Sequence, residues 1–276
     1  MEKIIVVCGP TATGKSDYAV KLAKKFPPAG GGEIISADSR QVYKGLNIGS
    51  GKITKKEMRG VPHHLLDVAN PRRVFTVAQY KKLADKAIKN ILARGKTPIL
   101  CGGTGFYIDS VIYDQNFPEV KPNKTLRKQL EKWPLEKLAT KLQKLDPERF
   151  EMIDTKNKVR LIRAIEIATV LGAVPKIKRV QKYDVKWIYL DFPDEVLKKR
   201  IHIRLFARIR GIVTEVKKLH KQGVSWKRLE ALGLEYRYMA LYLQKKLTKQ
   251  EMLTQLEFAI WHYAKRQRTW FKKYAK

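Results

Sequence analysis

The sequence contains few acidic residues and almost no cysteine. It has 26 Asp and Glu residues against 58 Lys and Arg residues, a formal net charge of +32 over 276 residues. Such an excess predicts a polyanionic partner such as nucleic acid, because a basic surface that binds phosphates releases their counterions. A proteome that is basic throughout would give the same excess. The two cysteines, Cys8 and Cys101, lie in apolar stretches, which favours small buried side chains over a disulfide or a zinc site.

The sequence also lacks an apolar run long enough to span a bilayer. Its first residues are typical of a strand and not of a signal peptide, so we expect a cytoplasmic protein without a membrane partner. The length allows one large domain, or one domain with an insertion, and provides enough apolar sequence for a core.

A strand, a glycine-rich loop and a helix follow one another at the start of the chain. Lys3–Cys8 predicts a buried strand, and Asp17–Phe26 predicts a helix with an apolar stripe of Tyr18, Leu22 and Phe26. Between them the sequence matches the phosphate-loop pattern G-x-x-x-x-G-K-[ST] in Gly9-Pro10-Thr11-Ala12-Thr13-Gly14-Lys15-Ser16. This context distinguishes a phosphate-binding loop from a chance match in a glycine turn.

The chemistry of such a loop is set by its backbone. N–H groups surround an anion, and the positive end of the helix dipole points at it. Lys15 is expected to reach the outer phosphates of a di- or triphosphate, and Ser16 is expected to hold Mg²⁺. The loop by itself leaves open which phosphate compound is bound and which bond is broken.

Two further predicted strands end in polar residues. After a loop over residues 27–32, Glu33–Asp38 predicts a strand that ends in a carboxylate, and Thr97–Cys101 predicts one that opens into Gly102-Gly103-Thr104. In open parallel sheets ligands bind at the carboxyl ends of the strands. We therefore expect an α/β fold in which Asp38 and Thr104 face the phosphate loop.

The segment between these strands carries two weaker signals. Two adjacent histidines, His63 and His64, lack a Cys or acidic partner at ligand spacing, so a structural or substrate-contact role is expected and not a metal site. A helix is expected to begin at Thr76, because Thr76 and Gln79 form a capping box, and to end at Gly95.

Residues 121–183 predict helices without a buried strand. They contain 17 Lys and Arg residues and 7 Asp and Glu residues, a difference of +10. We expect a helical insertion domain here, with the core formed by residues 1–120 and 184–276. Arg127 opens one helix, and Arg160 and Arg163 lie one turn apart on another, where they are plausible contacts to a nucleic-acid backbone.

The sheet is expected to resume with a strand over Lys186–Phe192. The helix after Pro193 carries Arg200, Arg204 and Arg208 at i, i+4 and i+8, a repulsive arrangement that favours an anion opposite the stripe. Solvated arginines with buried stems are the alternative. The tail over residues 264–274 mixes cations with aromatic residues, which suits phosphates together with unpaired bases, or a plain amphipathic helix.

These segments together resemble the tRNA isopentenyltransferase (tRNA dimethylallyltransferase) family in its bacterial form. The resemblance spans nearly the whole chain. It rests on the phosphate loop, Ile35–Gly45, Pro62–Asp67, Gly102–Tyr107, the helix of Arg160 and Arg163, and Ala264–Trp270. It implies a P-loop NTPase-like parallel sheet with a helical insertion that grips the anticodon stem-loop of tRNA, and a monomer.

The resemblance also implies a reaction. A dimethylallyl group is transferred from dimethylallyl diphosphate to N6 of adenosine 37, after that base has been flipped out of its stack. Asp38 matches the family position that removes the N6 proton, and Thr104 matches a residue that supports the reacting centre. Mg²⁺ is the implied cofactor, held by Ser16.

The same resemblance assigns the binding residues. The diphosphate contacts are Gly9, Thr11, Ala12, Thr13, Gly14, Lys15, Ser16, Arg200 and Arg204. The tRNA contacts are Asp38, Ser39, Arg40, Gln41, Thr104, Arg127, Val159, Arg160, Leu161, Ile162, Arg163, Lys265, Arg266, Gln267 and Arg268.

Three other functions share part of this pattern. A P-loop kinase that uses ATP, and an adenylate isopentenyltransferase that acts on free nucleotides, would have the loop and the arginine helix. Neither would explain the basic insertion or the basic aromatic tail. An RNA-binding protein without enzymatic activity would not need Asp38, Thr104 and the phosphate loop at one crevice.

Overall fold

The computed structural model describes residues 1–26, 31–115, 117–176 and 179–274. Residues 27–30 of the predicted loop lie outside these ranges, and Gly32 belongs to a strand. The packing of the chain divides it into two compact units, Met1–Asp114 with Val180–Lys276, and Gln115–Arg179. The sequence placed the insertion at residues 121–183.

The first unit is built on a parallel sheet of five strands. In chain order they are β1 (Lys3–Cys8), β2 (Gly32–Ser36), β3 (His63–His64), β4 (Thr97–Gly102) and β5 (Asp184–Tyr189). Their spatial order is β3-β2-β4-β1-β5, and every pair is parallel. The predicted parallel α/β fold is confirmed. The last strand begins two residues before the predicted Lys186 and ends at Tyr189 instead of Phe192.

Twelve α-helices lie among the described residues. In chain order they are α1 (Lys15–Lys24), α2 (Lys55–Met58), α3 (Val77–Leu92), α4 (Gly105–Ile112), α5 (Lys124–Leu130), α6 (Leu135–Leu145), α7 (Pro147–Met152), α8 (Lys158–Leu171), α9 (Asp194–Lys221), α10 (Trp226–Ala231), α11 (Leu234–Leu243) and α12 (Lys249–Phe271). A 3₁₀ turn, Lys272–Tyr274, follows α12. In the part of the chain that the structure describes, no helix combines the length and apolarity needed to cross a bilayer.

Apolar side chains cover both faces of the sheet. Along β1, Ile4 and Val6 belong to one core cluster and Ile5 and Val7 to the other. A strand buried on both faces has no polar alternation, which is why continuous apolar runs predicted these strands correctly. Both cysteines are buried and free, as expected.

The predicted apolar stripe of helix α1 lies at the margin of its buried face, where Leu22 and Phe26 are partly buried. The buried residues of the helix are Ala19, Val20 and Ala23, whereas Tyr18 is 39% exposed. The two alanines allow the helix to approach the strands closely, so small residues and not the large apolar stripe face the sheet. The larger side chains lie at the margin of this packing.

Helix α3 begins as predicted. The Thr76 side chain accepts a hydrogen bond from the Gln79 N–H, and the Gln79 side chain accepts one from the Thr76 N–H. Its fully buried Tyr80 donates a hydrogen bond to the Ser36 carbonyl (3.1 Å) and stacks on Tyr107, with ring centroids 3.9 Å apart. The helix thereby supports the end of β2, where the polar residues begin.

The two histidines of β3 have protein partners. His64 Nε2 lies 2.7 Å from Glu33 Oε2, and His63 Nδ1 lies 2.8 Å from the Val61 carbonyl. Burial alone would raise the pKa of Glu33, but hydrogen bonds with Arg94 and His64 lower it to about 2. Among the described residues no group of three or more His, Cys, Asp or Glu side chains could hold a metal ion.

The second unit contains α5 to α8 and, among its described residues, no strand. Its core is formed by Leu130, Leu138, Leu142, Leu161 and Ile165. The fully buried Glu166 carboxylate lies beside this core and pairs with Arg127 at 2.7 Å and with Arg163. A buried carboxylate therefore orients two of the basic side chains of this unit.

Candidate active site

The phosphate loop joins β1 to α1. Within it, Thr13 Oγ1 donates to the Pro10 carbonyl at 2.9 Å, and Lys15 Nζ donates to the same carbonyl at 2.5 Å. These two bonds hold the loop curved and place the Lys15 ammonium across it. The loop is thus shaped as a cradle for an anion, with the helix N-terminus behind it.

Arginines from α9 reach the same loop. Arg200 Nε donates to the Ala12 carbonyl at 2.7 Å, and Arg204 Nη1 donates to Thr11 Oγ1 at 3.2 Å. Arg208, the third member of the stripe, donates to the Ile48 carbonyl at 2.7 Å. The first two arginines therefore add positive charge to the phosphate loop, and the third fastens a neighbouring loop.

The ends of β2 and β4 touch one another. A Cβ atom on Gly102 would lie 2.1 Å from the Ala37 carbonyl oxygen, so only glycine allows this approach. The Ser39 N–H donates to Thr104 Oγ1 at 3.0 Å. Asp38 Oδ1 accepts hydrogen bonds from the backbone N–H groups of Arg40 (2.7 Å) and Gln41 (3.3 Å). These contacts bring Asp38 and Thr104 to one place and fix the orientation of the carboxylate.

Two cavities meet at this carboxylate. The first, of about 330 Å³, is lined by the phosphate loop, Arg200 and Arg204; we call it the phosphate cavity. The second, of about 430 Å³, is lined by Ser39, Arg40, Thr104, Arg266 and others; we call it the Arg40 cavity. Six residues line both cavities: Thr11, Asp38, Ser50, Gly103, Tyr263 and Gln267. The arrangement can hold two substrates whose reacting atoms meet beside Asp38.

Comparison with known proteins identifies the family. A model of the IPP transferase family matches residues 41–274. The chain is 44% identical over 99% of its length to tRNA dimethylallyltransferase 2 of Treponema denticola, and the match covers 92% of that protein. The chain belongs to the IPP transferase family.

Solved structures of two similar proteins support this assignment. The full-length tRNA isopentenylpyrophosphate transferase from Bacillus halodurans matches with 37% identity and a TM-score of 0.73, over 99% of this chain and 87% of that one. A eukaryotic dimethylallyltransferase acting on tRNA matches with 27% identity and a TM-score of 0.83, over 98% of this chain and 70% of that one. The P-loop NTPase-like fold expected from the sequence is confirmed.

Two residues that line the cavities of this IPP transferase were not predicted as site residues from the sequence. Tyr263 lies within hydrogen-bonding reach of Thr104, and burial raises the pKa of its hydroxyl. Glu235 lines the Arg40 cavity, and burial raises the pKa of its carboxyl. Tyr263 lies one helical turn before Gln267. This i, i+4 spacing could have indicated that both side chains face the site.

A buried carboxylate on α9 anchors a loop that borders both cavities. Glu215 accepts hydrogen bonds from three consecutive N–H groups, those of Asn47 (2.8 Å), Ile48 (2.7 Å) and Gly49 (3.0 Å). The Tyr236 hydroxyl donates to Glu215 at 2.8 Å and accepts from the N–H of Ser50 at 3.1 Å. The sequence carries no local signal for this anchor, since its partners are far apart in the chain.

The residues assigned to tRNA at the end of the chain divide into two groups. Lys265 and Arg266 are exposed on α12. Gln267 is buried, and Arg268 donates to Asp191 Oδ1 at 2.9 Å, to Asp194 and to the Phe192 carbonyl. The guanidinium of Arg268 is therefore already held by carboxylates of its own unit, which the sequence pattern did not indicate.

The residues of the second unit that were assigned to tRNA also form two groups, one exposed and one buried. Val159 is 78% exposed, and Arg160 is exposed as well. Leu161 and Ile162 are buried in the core of the unit, so their side chains do not reach its surface. Arg163 turns toward Glu166 and the Val120 carbonyl, whereas the Arg160 guanidinium, one turn away on the same helix, is exposed and lies 3.9 Å from an Asp154 carboxylate oxygen.

Proposed function

We propose that this protein transfers the dimethylallyl group of dimethylallyl diphosphate to N6 of adenosine 37 in tRNA, releasing diphosphate. The observation that carries the proposal is that the phosphate cavity and the Arg40 cavity meet at Asp38. A phosphate loop can hold a diphosphate as a leaving group as well as it holds a phosphoryl donor. The names of the relatives, which act on tRNA, support the same reaction.

With the donor in the phosphate cavity and the adenine in the Arg40 cavity, one bond forms and one breaks between them. The lone pair of adenine N6 is delocalised into the ring, so the amine is a weak nucleophile. As N6 bonds to the first carbon of the dimethylallyl group, the bond from that carbon to the diphosphate oxygen breaks. The Asp38 carboxylate accepts the N6 proton as a general base. Thr104, beside Ser39, supports the reacting centre by hydrogen bonding.

The negative charge that develops on the diphosphate is neutralised by the phosphate cavity. Lys15, Arg200 and Arg204 supply cations, and the loop N–H groups supply dipoles. Ser16, which lines the cavity, fits a role as ligand to Mg²⁺, because its hydroxyl is a hard oxygen donor. Mg²⁺ keeps several waters and binds phosphate oxygens, so one protein hydroxyl beside the diphosphate suits it. When bound, the ion would offset charge on the leaving diphosphate.

The binding of diphosphate should weaken as the pH rises through about 8. Burial lowers the pKa of Lys15 to about 8, so its ammonium charge is present below that pH and is lost above it. With inorganic diphosphate and Mg²⁺ as ligands, the dissociation constant should rise about tenfold per pH unit well above 8. Diphosphate itself loses a proton over the same pH range. Titration calorimetry of Lys15→Met at the same pH values measures how much of the change in dissociation constant comes from the ligand. A dissociation constant that changes equally in both proteins would contradict this role for Lys15.

Recognition of tRNA is assigned to both units. Ser39 and Arg40, which line the Arg40 cavity, and Gln41, which lines the phosphate cavity, would contact the flipped base and its neighbours. Lys265 and Arg266 would contact phosphates, and in the second unit Arg160 and the guanidinium groups of Arg127 and Arg163 would do the same, with the exposed Val159 packing against the RNA beside them. The proposed tRNA substrate supports a cytoplasmic location, and the resemblance to the family supports a monomer.

The affinity for tRNA should fall steeply with salt. The net charge of +32 makes phosphate contacts the main source of affinity, and each contact releases counterions. If about five phosphates are contacted, the slope of log K against log salt concentration should be about −4. Filter binding of an anticodon stem-loop over a range of KCl concentrations measures the slope. A slope near zero would contradict the assignment of the basic residues to RNA.

Mass spectrometry of an anticodon stem-loop RNA tests the reaction itself. The RNA carries adenosine 37 and is incubated with the protein, Mg²⁺ and dimethylallyl diphosphate. A five-carbon gain on that adenosine is the expected result, and an RNA with guanosine at that position is the control. A gain on free AMP but not on the RNA would favour an adenylate isopentenyltransferase, and turnover of ATP without prenyl transfer would favour a kinase. Binding of the RNA with neither activity would favour an RNA-binding protein.

A further inference from the structure

Gln267 connects two loops of the active site. It lies on α12, is 6% exposed, and both ends of its amide are used. Its Oε1 accepts a hydrogen bond from the N–H of Thr11 at 2.8 Å, and its Nε2 donates one to the carbonyl of Gly103 at 2.8 Å. The first partner is 256 residues away in the chain and the second is 164 residues away.

The pair of bonds requires an amide. A glutamine offers one acceptor and one donor at the same end of its side chain, whereas a glutamate offers acceptors only. The packing is also close, because a Cβ atom on Gly103 would lie 2.2 Å from Gln267 Nε2. The amide therefore occupies one orientation, with its oxygen toward the phosphate loop and its nitrogen toward the turn after β4.

The two connected loops carry the two halves of the chemistry. Thr11 belongs to the loop that includes Lys15, and Gly103 precedes Thr104 directly. Thr11, Gly103 and Gln267 all line both the phosphate cavity and the Arg40 cavity. The distance between the leaving diphosphate and the acceptor base thus depends on how far apart these loops are held.

We propose that Gln267 is a positioning residue for prenyl transfer, and that it does not contact tRNA. Its amide holds the phosphate loop and the Gly103 turn at a fixed separation, so that the donor carbon and the acceptor nitrogen meet beside Asp38. The proposal rests on the proposed function, since it concerns the alignment of those two substrates. It assigns to the interior of the site a residue that the family resemblance placed among the RNA contacts.

Gln267→Glu separates these two roles. It keeps the acceptor for the Thr11 N–H but loses the donor to Gly103 and places a carboxylate against a carbonyl. We expect kcat to fall about 100-fold, the scale of a misplacement of about 1 Å, while the Kd for the stem-loop RNA changes less than about twofold. Gln255→Glu is the matched control, because it makes the same charge change on an exposed position of α12 and should keep wild-type kcat and Kd.

Each result decides between the roles. A weaker RNA affinity and a smaller salt slope in Gln267→Glu, with kcat unchanged at saturating RNA, would show an RNA contact and overturn the proposal. Wild-type kinetics would overturn it as well. If Gln267→Glu does not fold, judged by circular dichroism, Gln267→Leu keeps the volume and removes both bonds, and the same fall in kcat is expected. Wild-type protein that transfers no prenyl group would refute the proposed function first, and this proposal with it.

Discussion

Asp38→Asn should lower kcat for prenyl transfer by about 10²–10⁴-fold, the range found when a general base is removed. Asparagine keeps the size of the side chain, and its amide oxygen can still accept the N–H groups of Arg40 and Gln41 that bind Asp38 Oδ1. What it loses is the ability to take the N6 proton as the new bond forms. Single-turnover kinetics with radiolabelled dimethylallyl diphosphate measures the step directly.

Binding measurements separate this effect from a loss of structure. The Kd for the stem-loop RNA should not rise in Asp38→Asn, because the charge removed is negative and the partner is an anion. Asp184→Asn is the control. It makes the same change at the first residue of β5, at the amino-terminal end of the parallel strands, whereas the site lies at their carboxyl ends. An Asp38→Asn protein with wild-type kcat would remove Asp38 from the role of base.

Lys15→Met should lower kcat/KM for dimethylallyl diphosphate by about 10²–10³-fold, the scale for removing one group that stabilises developing negative charge. Methionine preserves much of the apolar stem but cannot donate to the Pro10 carbonyl or to a phosphate. Because the ammonium both binds the diphosphate and stabilises it as it leaves, we expect KM to rise and kcat to fall. Steady-state kinetics with the donor varied at saturating RNA measures both.

The control for Lys15→Met lies on the same helix. Lys24→Met removes an exposed charge from the last turn of α1 and should leave kcat/KM for the donor within about twofold of wild type. Affinity for RNA should be the same in both variants, since neither side chain is assigned to it. A loss of RNA affinity in Lys15→Met, with donor kinetics unchanged, would mean that the phosphate loop does not hold the diphosphate.

The loops that these variants test illustrate how much a local pattern can predict. The phosphate loop has a required spacing, and its strand and helix flank it directly, so Lys15 and Ser16 could be placed from the sequence. Asp38 and Thr104 follow apolar runs that read as buried strands, and parallel strands bring their ends to one edge. The capping box at Thr76 is likewise decided by residues three apart.

Partners that are distant in the chain could not be predicted in this way. The sequence showed cations at Arg127, Arg163 and Arg268, but a buried Glu166 and the carboxylates of Asp191 and Asp194 decide where those guanidinium groups point. A charge pattern records the sign of a side chain and not its neighbours, so exposed and paired arginines look alike until the chain is folded.

The sequence by itself determined the parallel sheet, the phosphate loop and the polar strand ends, because each depends on residues that are close together in the chain. The tertiary structure alone decided that α1 buries Ala19 and Ala23, that Tyr263 lies beside Thr104, and that Gln267 joins Thr11 to Gly103. These outcomes depend on how closely two elements approach and on which donors and acceptors then meet. That information lies in the packing of α12 and α1 against the sheet, and no periodicity within either helix contains it.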